Sequence, residues 1–211
     1  MSRTLFRLLA SATALVAWSA LALQYVLLIG ATWQDIGPLL GSLRFISFFT
    51  ILSNVLVALT TTLALASKRS AIGDFFTSPR IRGGVALCIG ITLCIYFFVL
   101  AAAWSPQGAQ WFANIALHYL TPVLYLLWWA VCIPRGGLLW TDPLCWLAFP
   151  VAFFAWTLLR GAWLHEYPYP FVDVDTLGVV AVAGNALGIG VLFLFFGFLL
   201  VAFDRLARAT G

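Results

Sequence analysis

Thr50 and His118 lie inside long apolar stretches and are the strongest candidates for chemistry in this sequence. Polar side chains are costly inside a membrane, so they usually face the interior of a helix bundle and often mark function. A hydroxyl beside an imidazole is the smallest nucleophile–base pair, in which the histidine accepts the hydroxyl proton and the oxygen attacks an acyl carbon. An imidazole also exchanges protons near neutral pH. The two residues therefore predict acyl transfer, provided that the fold brings them together.

Other polar residues in the apolar stretches are candidates for supporting such a pair. Arg160, Asn54 and Asn185 could stabilise a developing oxyanion. Helical spacing predicts that one face of the second stretch carries Arg44, Ser47, Thr50, Asn54 and Thr61, and that one face of the fourth carries Asn114, His118, Thr121, Pro122 and Tyr125. Counting from the helix ends places Thr50, His118, Gln24, Arg160 and Asn185 at a similar depth, in the outer third of a bilayer.

Each supporting residue also has a plainer explanation. Threonine in a helix often bonds to the carbonyl four residues earlier, serine and asparagine commonly join membrane helices, and arginine near a helix end can extend to the interface. The shared depth favours a functional site. It leaves substrate contact and structural support open for Arg160, Asn54, Asn185, Asn114, Ser47 and Gln24. No acidic residue lies in the stretches that would carry the site, although Asp173 or Asp175 could reach it from a loop.

These residues must be positioned by membrane-spanning helices. Hydrophobic residues make up 64% of the 211 residues and charged residues only 9%, far below the ~25% of soluble domains. Six apolar runs, each close to the ~20 residues that cross a bilayer, are 8–30, 45–66, 85–104, 114–133, 144–164 and 178–203. Continuous apolar runs predict helices, because barrel strands alternate polar and apolar residues. We therefore expect an all-α polytopic protein with six transmembrane helices in a single domain, 1–211.

The basic residues predict the orientation of these helices. Nine of the eleven Lys and Arg residues lie on one side, in the two termini and in the second and fourth connections. The positive-inside rule then places both termini in the cytoplasm. The first run follows Arg3 and Arg7 and resembles a signal peptide near Ala20, but its apolar length favours a retained span.

Composition also argues against several classes of protein. The net charge of +4 comes from short basic connections, which favours topology over nucleic-acid binding. Four cysteines without metal-ligand spacing predict neither a zinc site nor a disulfide framework. We expect no metal and no cofactor; a haem would need a second axial ligand, and His165 lies too close to a loop to pair easily with His118.

Three segments resemble a known group of proteins. They are Arg44–Asn54, Leu117–Pro122 and Tyr167–Phe171, which look like the corresponding parts of small six-helix bacterial membrane proteins. That group is distantly similar to the androgen-induced family of animals, which includes the androgen-dependent TFPI-regulating protein. The animal members are transmembrane threonine hydrolases that cleave fatty acid esters of hydroxy fatty acids. The resemblance implies that Thr50 is the nucleophile and His118 the base.

The sequence thus favours a lipid-ester hydrolase in a bacterial inner membrane, acting on an acyl ester near the outer leaflet. The alternative is a transporter or binding protein for a small molecule or lipid. A transport path would need polar residues through the whole membrane, and the inner halves of the predicted helices are mostly apolar. Membrane lipids are the expected surroundings, and the sequence indicates no oligomeric state.

Overall fold

A computed structural model describes residues 2–66 and 70–209. All regular structure in these two ranges is helical, and they contain no strand. Contacts between backbones divide the chain into two compact units, one ending at Gly137 and the other beginning at Leu138. We refer to them as the N-terminal and C-terminal units.

Seven α-helices belong to the N-terminal unit. They are α1 (Arg3–Thr32), α2 (Gly37–Phe45), α3 (Phe49–Leu65), α4 (Ala71–Thr77), α5 (Pro79–Ile95), α6 (Gly108–Ile115) and α7 (Thr121–Cys132). A π-helical turn, Tyr96–Leu100, and a 3-10 turn, Ala101–Ala103, continue α5. Another π-helical turn, Ala116–Leu120, joins α6 to α7 in one continuous helix.

The C-terminal unit contains three α-helices. They are α8 (Asp142–Trp146), α9 (Ala148–Leu164) and α10 (Val174–Ala209), with a 3-10 turn at Pro170–Val172 before α10. Gly178 interrupts α10 with a positive φ of 77°, a conformation that glycine adopts without steric cost.

The chain is an all-α integral membrane protein, as the sequence predicts. Five helices are long and apolar enough to cross a bilayer: 3–32, 79–103, 108–132, 142–164 and 174–208. The bent pair α2 and α3 would be the sixth span. Several helices extend beyond the predicted apolar runs, because polar and basic residues continue them into the interface; α5, for example, begins at Pro79 and not at Val85.

The second span is not the continuous helix that the sequence predicts. α2 ends at Phe45, α3 begins at Phe49, and their axes differ by 74°. The break contains neither glycine nor proline. Ser47 lies in the break and donates its hydroxyl to the Leu43 carbonyl oxygen of α2 at 2.6 Å. Arg44 and Thr50 therefore lie on different helices, and the predicted shared face holds only from Thr50 onward.

Small residues let α1 approach its neighbours closely. Ala10, Ala14, Ala17 and Ala20 repeat every three or four residues and are all buried. α1 packs along α3 and also contacts α2, α6 and α7, while α5 contacts both α3 and α7. Small side chains at such contacts favour association of membrane helices. This packing fixes α3 and α7 relative to each other, and these two helices hold the candidate site.

The basic residues that predict the orientation are only partly within the described chain. Arg80 and Arg82 lie in the first turn of α5, and Arg205 and Arg208 lie near the end of α10. Lys68 and Arg69 lie outside the described residues. The cytoplasmic placement of both termini remains a prediction.

Candidate functional site

Thr50 and His118 lie next to each other in the N-terminal unit. The Thr50 Oγ1 atom is 3.3 Å from Nε2 of His118. Thr50 occupies the first turn of α3, and His118 occupies the middle of the π turn between α6 and α7. Thr50 is buried and His118 is partly buried, so water has limited access to the pair. A hydroxyl and an imidazole at this distance can exchange a proton.

The contact made by Nδ1 of His118 determines which ring nitrogen can act as a base. Nδ1 is 3.1 Å from the Asn114 carbonyl oxygen, which can only accept a hydrogen bond. Nδ1 therefore carries the proton in the neutral imidazole, and Nε2 presents its lone pair to the Thr50 hydroxyl. A backbone carbonyl thus has the orienting role that a carboxylate has in the serine hydrolase triad.

Tyr96 holds the imidazole from its face. The two rings stack with centroids 3.8 Å apart and an interplanar angle of 23°. Tyr96 is itself buried and begins the π turn Tyr96–Leu100, so both stacked residues lie in π turns. Such turns are rare and occur frequently at functional sites. The stacking restricts rotation of the His118 ring about its Cβ–Cγ bond.

Asn54 joins the two helices one turn after Thr50. Its Nδ2 donates to the Thr50 carbonyl oxygen at 2.8 Å and to the Leu117 carbonyl oxygen at 3.1 Å. An amide nitrogen has two protons, so both are used in these bonds. Asn54 therefore positions α3 against the π turn that carries His118 and has no amide proton left for an oxyanion.

The remaining candidates of the N-terminal unit have separate partners. The Gln24 side-chain oxygen accepts a hydrogen bond from Gln110 at 2.7 Å, which joins α1 to α6. Ser47 bonds to the Leu43 carbonyl oxygen of α2, as described above. Asn114 is buried and contributes its carbonyl oxygen to His118, whereas its side-chain Oδ1 makes no hydrogen bond to a described residue.

Arg160 and Asn185 lie in the C-terminal unit, where both bond to the loop between α9 and α10. Arg160 is 3% exposed, forms an ion pair with the Glu166 carboxylate, and donates to the Glu166 carbonyl oxygen at 3.0 Å. Asn185 donates to the Phe171 carbonyl oxygen at 2.8 Å. These contacts hold the loop against its own helices.

The two loop aspartates are also engaged within this unit. Asp173 accepts from the backbone N–H and the hydroxyl of Thr176, at 3.0 and 2.8 Å, at the start of α10. An Asp175 carboxylate oxygen lies 2.9 Å from Nδ1 of His165. Their contacts within the C-terminal unit are those of loop-fixing and helix-capping residues.

Thr50 lies at the N-terminal end of a helix, a feature that sequence reasoning missed. The first turn of a helix carries a partial positive charge, which favours a negative charge nearby. The apolar run beginning at Phe45 hides this end, because no glycine or proline marks the break. The Ser47 hydroxyl was the available signal, since serine often interrupts or caps helices.

Polar residues continue along α3 and α7 beyond the Thr50–His118 contact. Thr60 is fully buried and lies beside the Tyr125 hydroxyl, and that hydroxyl donates to the Arg82 carbonyl oxygen at 3.2 Å. Buried polar residues thus continue along α3 and α7 past the Thr50–His118 contact, among mostly apolar neighbours.

The cysteines and the possible metal ligands all lie in the described part of the chain. Within residues 2–66 and 70–209, no group of three His, Cys, Asp or Glu side chains is placed to share a metal ion. Cys88, Cys94, Cys132 and Cys145 are all free thiols.

Comparisons with models of protein families, with characterised proteins and with solved structures found no match to this chain.

Proposed function

We propose that this membrane protein is a hydrolase of lipid acyl esters, with Thr50 as nucleophile and His118 as general base. The observation that carries the proposal is the 3.3 Å contact between Thr50 Oγ1 and the His118 nitrogen that has the free lone pair. A membrane environment and mostly apolar surroundings favour a substrate with acyl chains. Fatty acid esters of hydroxy fatty acids are the substrates that the family resemblance implies.

The reaction proceeds in two steps on these residues. His118 Nε2 accepts the Thr50 proton as the hydroxyl oxygen attacks the ester carbonyl carbon. The resulting imidazolium then donates that proton to the departing alcohol oxygen, and an acyl group remains on Thr50. A water molecule activated by the same nitrogen cleaves this second ester, which releases the fatty acid and restores the hydroxyl.

The local electrostatics support both steps. The positive end of the α3 dipole lies at Thr50, where negative charge develops on the attacking and carbonyl oxygens. Stacking on Tyr96 and the bond to Asn114 keep the imidazole oriented without a buried carboxylate. Asn54 maintains the distance between the two helices.

Labelling with a fluorophosphonate probe tests the proposal. The purified protein should be labelled covalently, and Thr50→Ala should remove the label. Thr61→Ala is the matched control, because Thr61 is a fully buried threonine of the same helix whose hydroxyl bonds to the Val57 carbonyl oxygen. Equal labelling of wild type and Thr50→Ala would contradict the assignment of the nucleophile.

A transport or binding function is the second candidate. The observation that favours it is the continuation of buried polar residues to Thr60 and Tyr125. Absence of labelling and of ester hydrolysis, together with saturable fatty-acid binding to the purified protein, would favour this candidate over the hydrolase.

We further propose that the protein lies in the plasma membrane of a bacterium with both termini in the cytoplasm. The distribution of Arg and Lys between connections supports this orientation. Reporter fusions after the last residue and within the 165–175 loop should report opposite sides. An extracytoplasmic signal from the C-terminal fusion would reverse the orientation.

A further inference from the structure

α3 and α7 meet along a polar contact that extends beyond the Thr50–His118 pair. Asn54 bonds to the Leu117 carbonyl oxygen, and Thr60 lies beside Tyr125. Later residues of α3 thus meet later residues of α7, so the two helices run in the same direction. Ser53 precedes Thr60 by two turns on the same face, and Thr121 precedes Tyr125 by one turn. We define the α3–α7 seam as Ser53, Asn54, Thr60, Thr121 and Tyr125.

Three polar atoms in this seam have no hydrogen bond to any described residue. They are Ser53 Oγ, Asn54 Oδ1 and Thr121 Oγ1, and each residue is 0% exposed. The remaining buried hydroxyl of the seam, that of Thr60, has the Tyr125 hydroxyl as its neighbour. A buried polar atom without a partner costs about 1–3 kcal/mol, which is substantial against the ~5–15 kcal/mol of a typical fold.

Other buried threonines in the same unit avoid this cost. The hydroxyls of Thr13, Thr61 and Thr92 each donate to the carbonyl oxygen four residues earlier in their own helix, at 2.7, 2.8 and 3.0 Å. This is the usual arrangement for threonine in a membrane helix. The seam hydroxyls differ from it, which indicates that their partner lies between the helices.

We propose that the α3–α7 seam binds a row of water molecules that links the Thr50–His118 site to Tyr125. The chemistry of the three atoms selects this ligand. The Asn54 oxygen only accepts, whereas the Ser53 and Thr121 hydroxyls both donate and accept, and the seam contains no charged side chain. Water supplies both donors and acceptors in a small neutral molecule, and buried waters typically bond to about three otherwise unsatisfied polar groups.

The water row gives His118 a route for proton exchange along the seam. Hydroxyls and water molecules can each pass a proton by donating one hydrogen bond while accepting another. The route extends to the Tyr125 hydroxyl, which bonds to Arg82 in the first turn of α5. This inference does not depend on ester hydrolysis, because a binding protein with the same side chains would hold the same waters.

The stability of Thr121→Val tests the proposal, because valine has the shape of threonine without its hydroxyl. In a hydrated seam the variant removes a partner of bound water, so the Tm in lipid nanodiscs should fall by about 2–4 °C. Thr13→Val is the control, since Thr13 is equally buried but bonds to its own helix. A Tm for Thr121→Val equal to or above that of the wild type would overturn the proposal, because removing a buried hydroxyl that has no partner does not destabilise the fold.

X-ray radiolytic footprinting of the wild-type protein gives a second, independent measurement. Radicals formed from bound water oxidise adjacent side chains, so Tyr125 should be oxidised although it is 0% exposed. Phe193, a buried aromatic residue of the C-terminal unit that is 2% exposed, serves as the reference. Oxidation of Tyr125 no faster than that of Phe193 would contradict a hydrated seam, even if Thr121→Val failed to fold.

Discussion

Polar residues inside apolar helices have different partners in the two units. In the N-terminal unit, Thr50 meets His118 across two helices, and the seam beside them contains buried oxygens with no hydrogen bond to a described residue. In the C-terminal unit, Arg160 and Asn185 bond to a nearby loop of the same unit. The first arrangement places a hydroxyl against an imidazole, whereas the second bonds polar side chains to a loop and so fixes its backbone.

This difference separates two explanations that the sequence leaves open for every polar residue in a span. Such residues are expected to be functional when they face a bundle interior. A polar side chain in a span that pairs with a loop carbonyl or carboxylate is also shielded from lipid, but it then has a structural role and no catalytic one. Substitutions in the N-terminal unit should therefore change activity more than stability, and substitutions in the C-terminal unit should do the reverse.

The largest expected effect is on catalysis at the Thr50–His118 pair. Thr50→Val keeps the side-chain shape but removes the nucleophile, and His118→Ala removes the base. Each should lower kcat/KM for a fluorogenic fatty-acid ester by at least about 10²-fold, the lower limit for general-base contributions. Thr50→Ser retains a hydroxyl and should keep part of the activity. If Thr50→Val kept both the kcat/KM and the Tm of the wild type, the N-terminal unit would not carry out the hydrolysis through this pair.

How much of this site the sequence predicts depends on the range of the interactions. Thr50 and His118 are identified from residue type and depth, because apolar runs define helix ends to within a few residues. The bend at Ser47 and the π turn Tyr96–Leu100 are not predicted, since no glycine or proline marks them. Pro122 directly follows the other π turn, Ala116–Leu120, but a proline alone does not distinguish a π turn from other helix irregularities. The stacking of Tyr96 on His118 depends on packing between separate helices. The periodicity of residues within one segment does not reveal such contacts.

Arg160 provides the largest expected effect on stability. It is 3% exposed, and its Glu166 partner is 31% exposed, so Arg160→Ala leaves a carboxylate that water can reach only partly. Breaking a buried pair costs about 3–5 kcal/mol, and partial exposure reduces this to about 2–4 kcal/mol. Arg160→Lys should recover little, because lysine cannot form the forked bonds to the carboxylate and carbonyl oxygens. Thermal unfolding measures both variants.

The hydrolysis assay on the same preparations separates this role from a catalytic one. Folded Arg160→Lys should retain kcat/KM close to that of wild type at a temperature well below its Tm. A raised KM with unchanged Tm would instead indicate that Arg160 contacts the substrate, and the C-terminal unit would then take part in substrate binding.

Gly161 tests how closely the loop packs on α9. A Cβ at this position would overlap the ring of Tyr167, which lies against the helix backbone. Gly161→Ala should therefore displace the ring and lower stability by about 1–3 kcal/mol. Gly184→Ala is the matched control in α10, where a Cβ meets nothing within 4 Å and should raise stability slightly through helix propensity. Equal Tm values for the two variants would contradict close packing of the loop.

The smallest expected effect concerns the contact between His165 and Asp175. Their side chains are 75% and 46% exposed, and His165 Nδ1 is 2.9 Å from the nearer Asp175 oxygen. Water therefore screens the attraction between the two groups. Exposed pairs contribute at most about 1 kcal/mol, and salt weakens them further. Asp175→Asn should therefore shift the Tm only slightly, and less at 0.5 M than at 0.05 M salt, whereas the loss caused by Arg160→Ala should depend little on salt. A large decrease in the Tm of Asp175→Asn that did not depend on salt would mean that this pair is shielded from water. The loop would then depend on two shielded contacts and not on Arg160 alone.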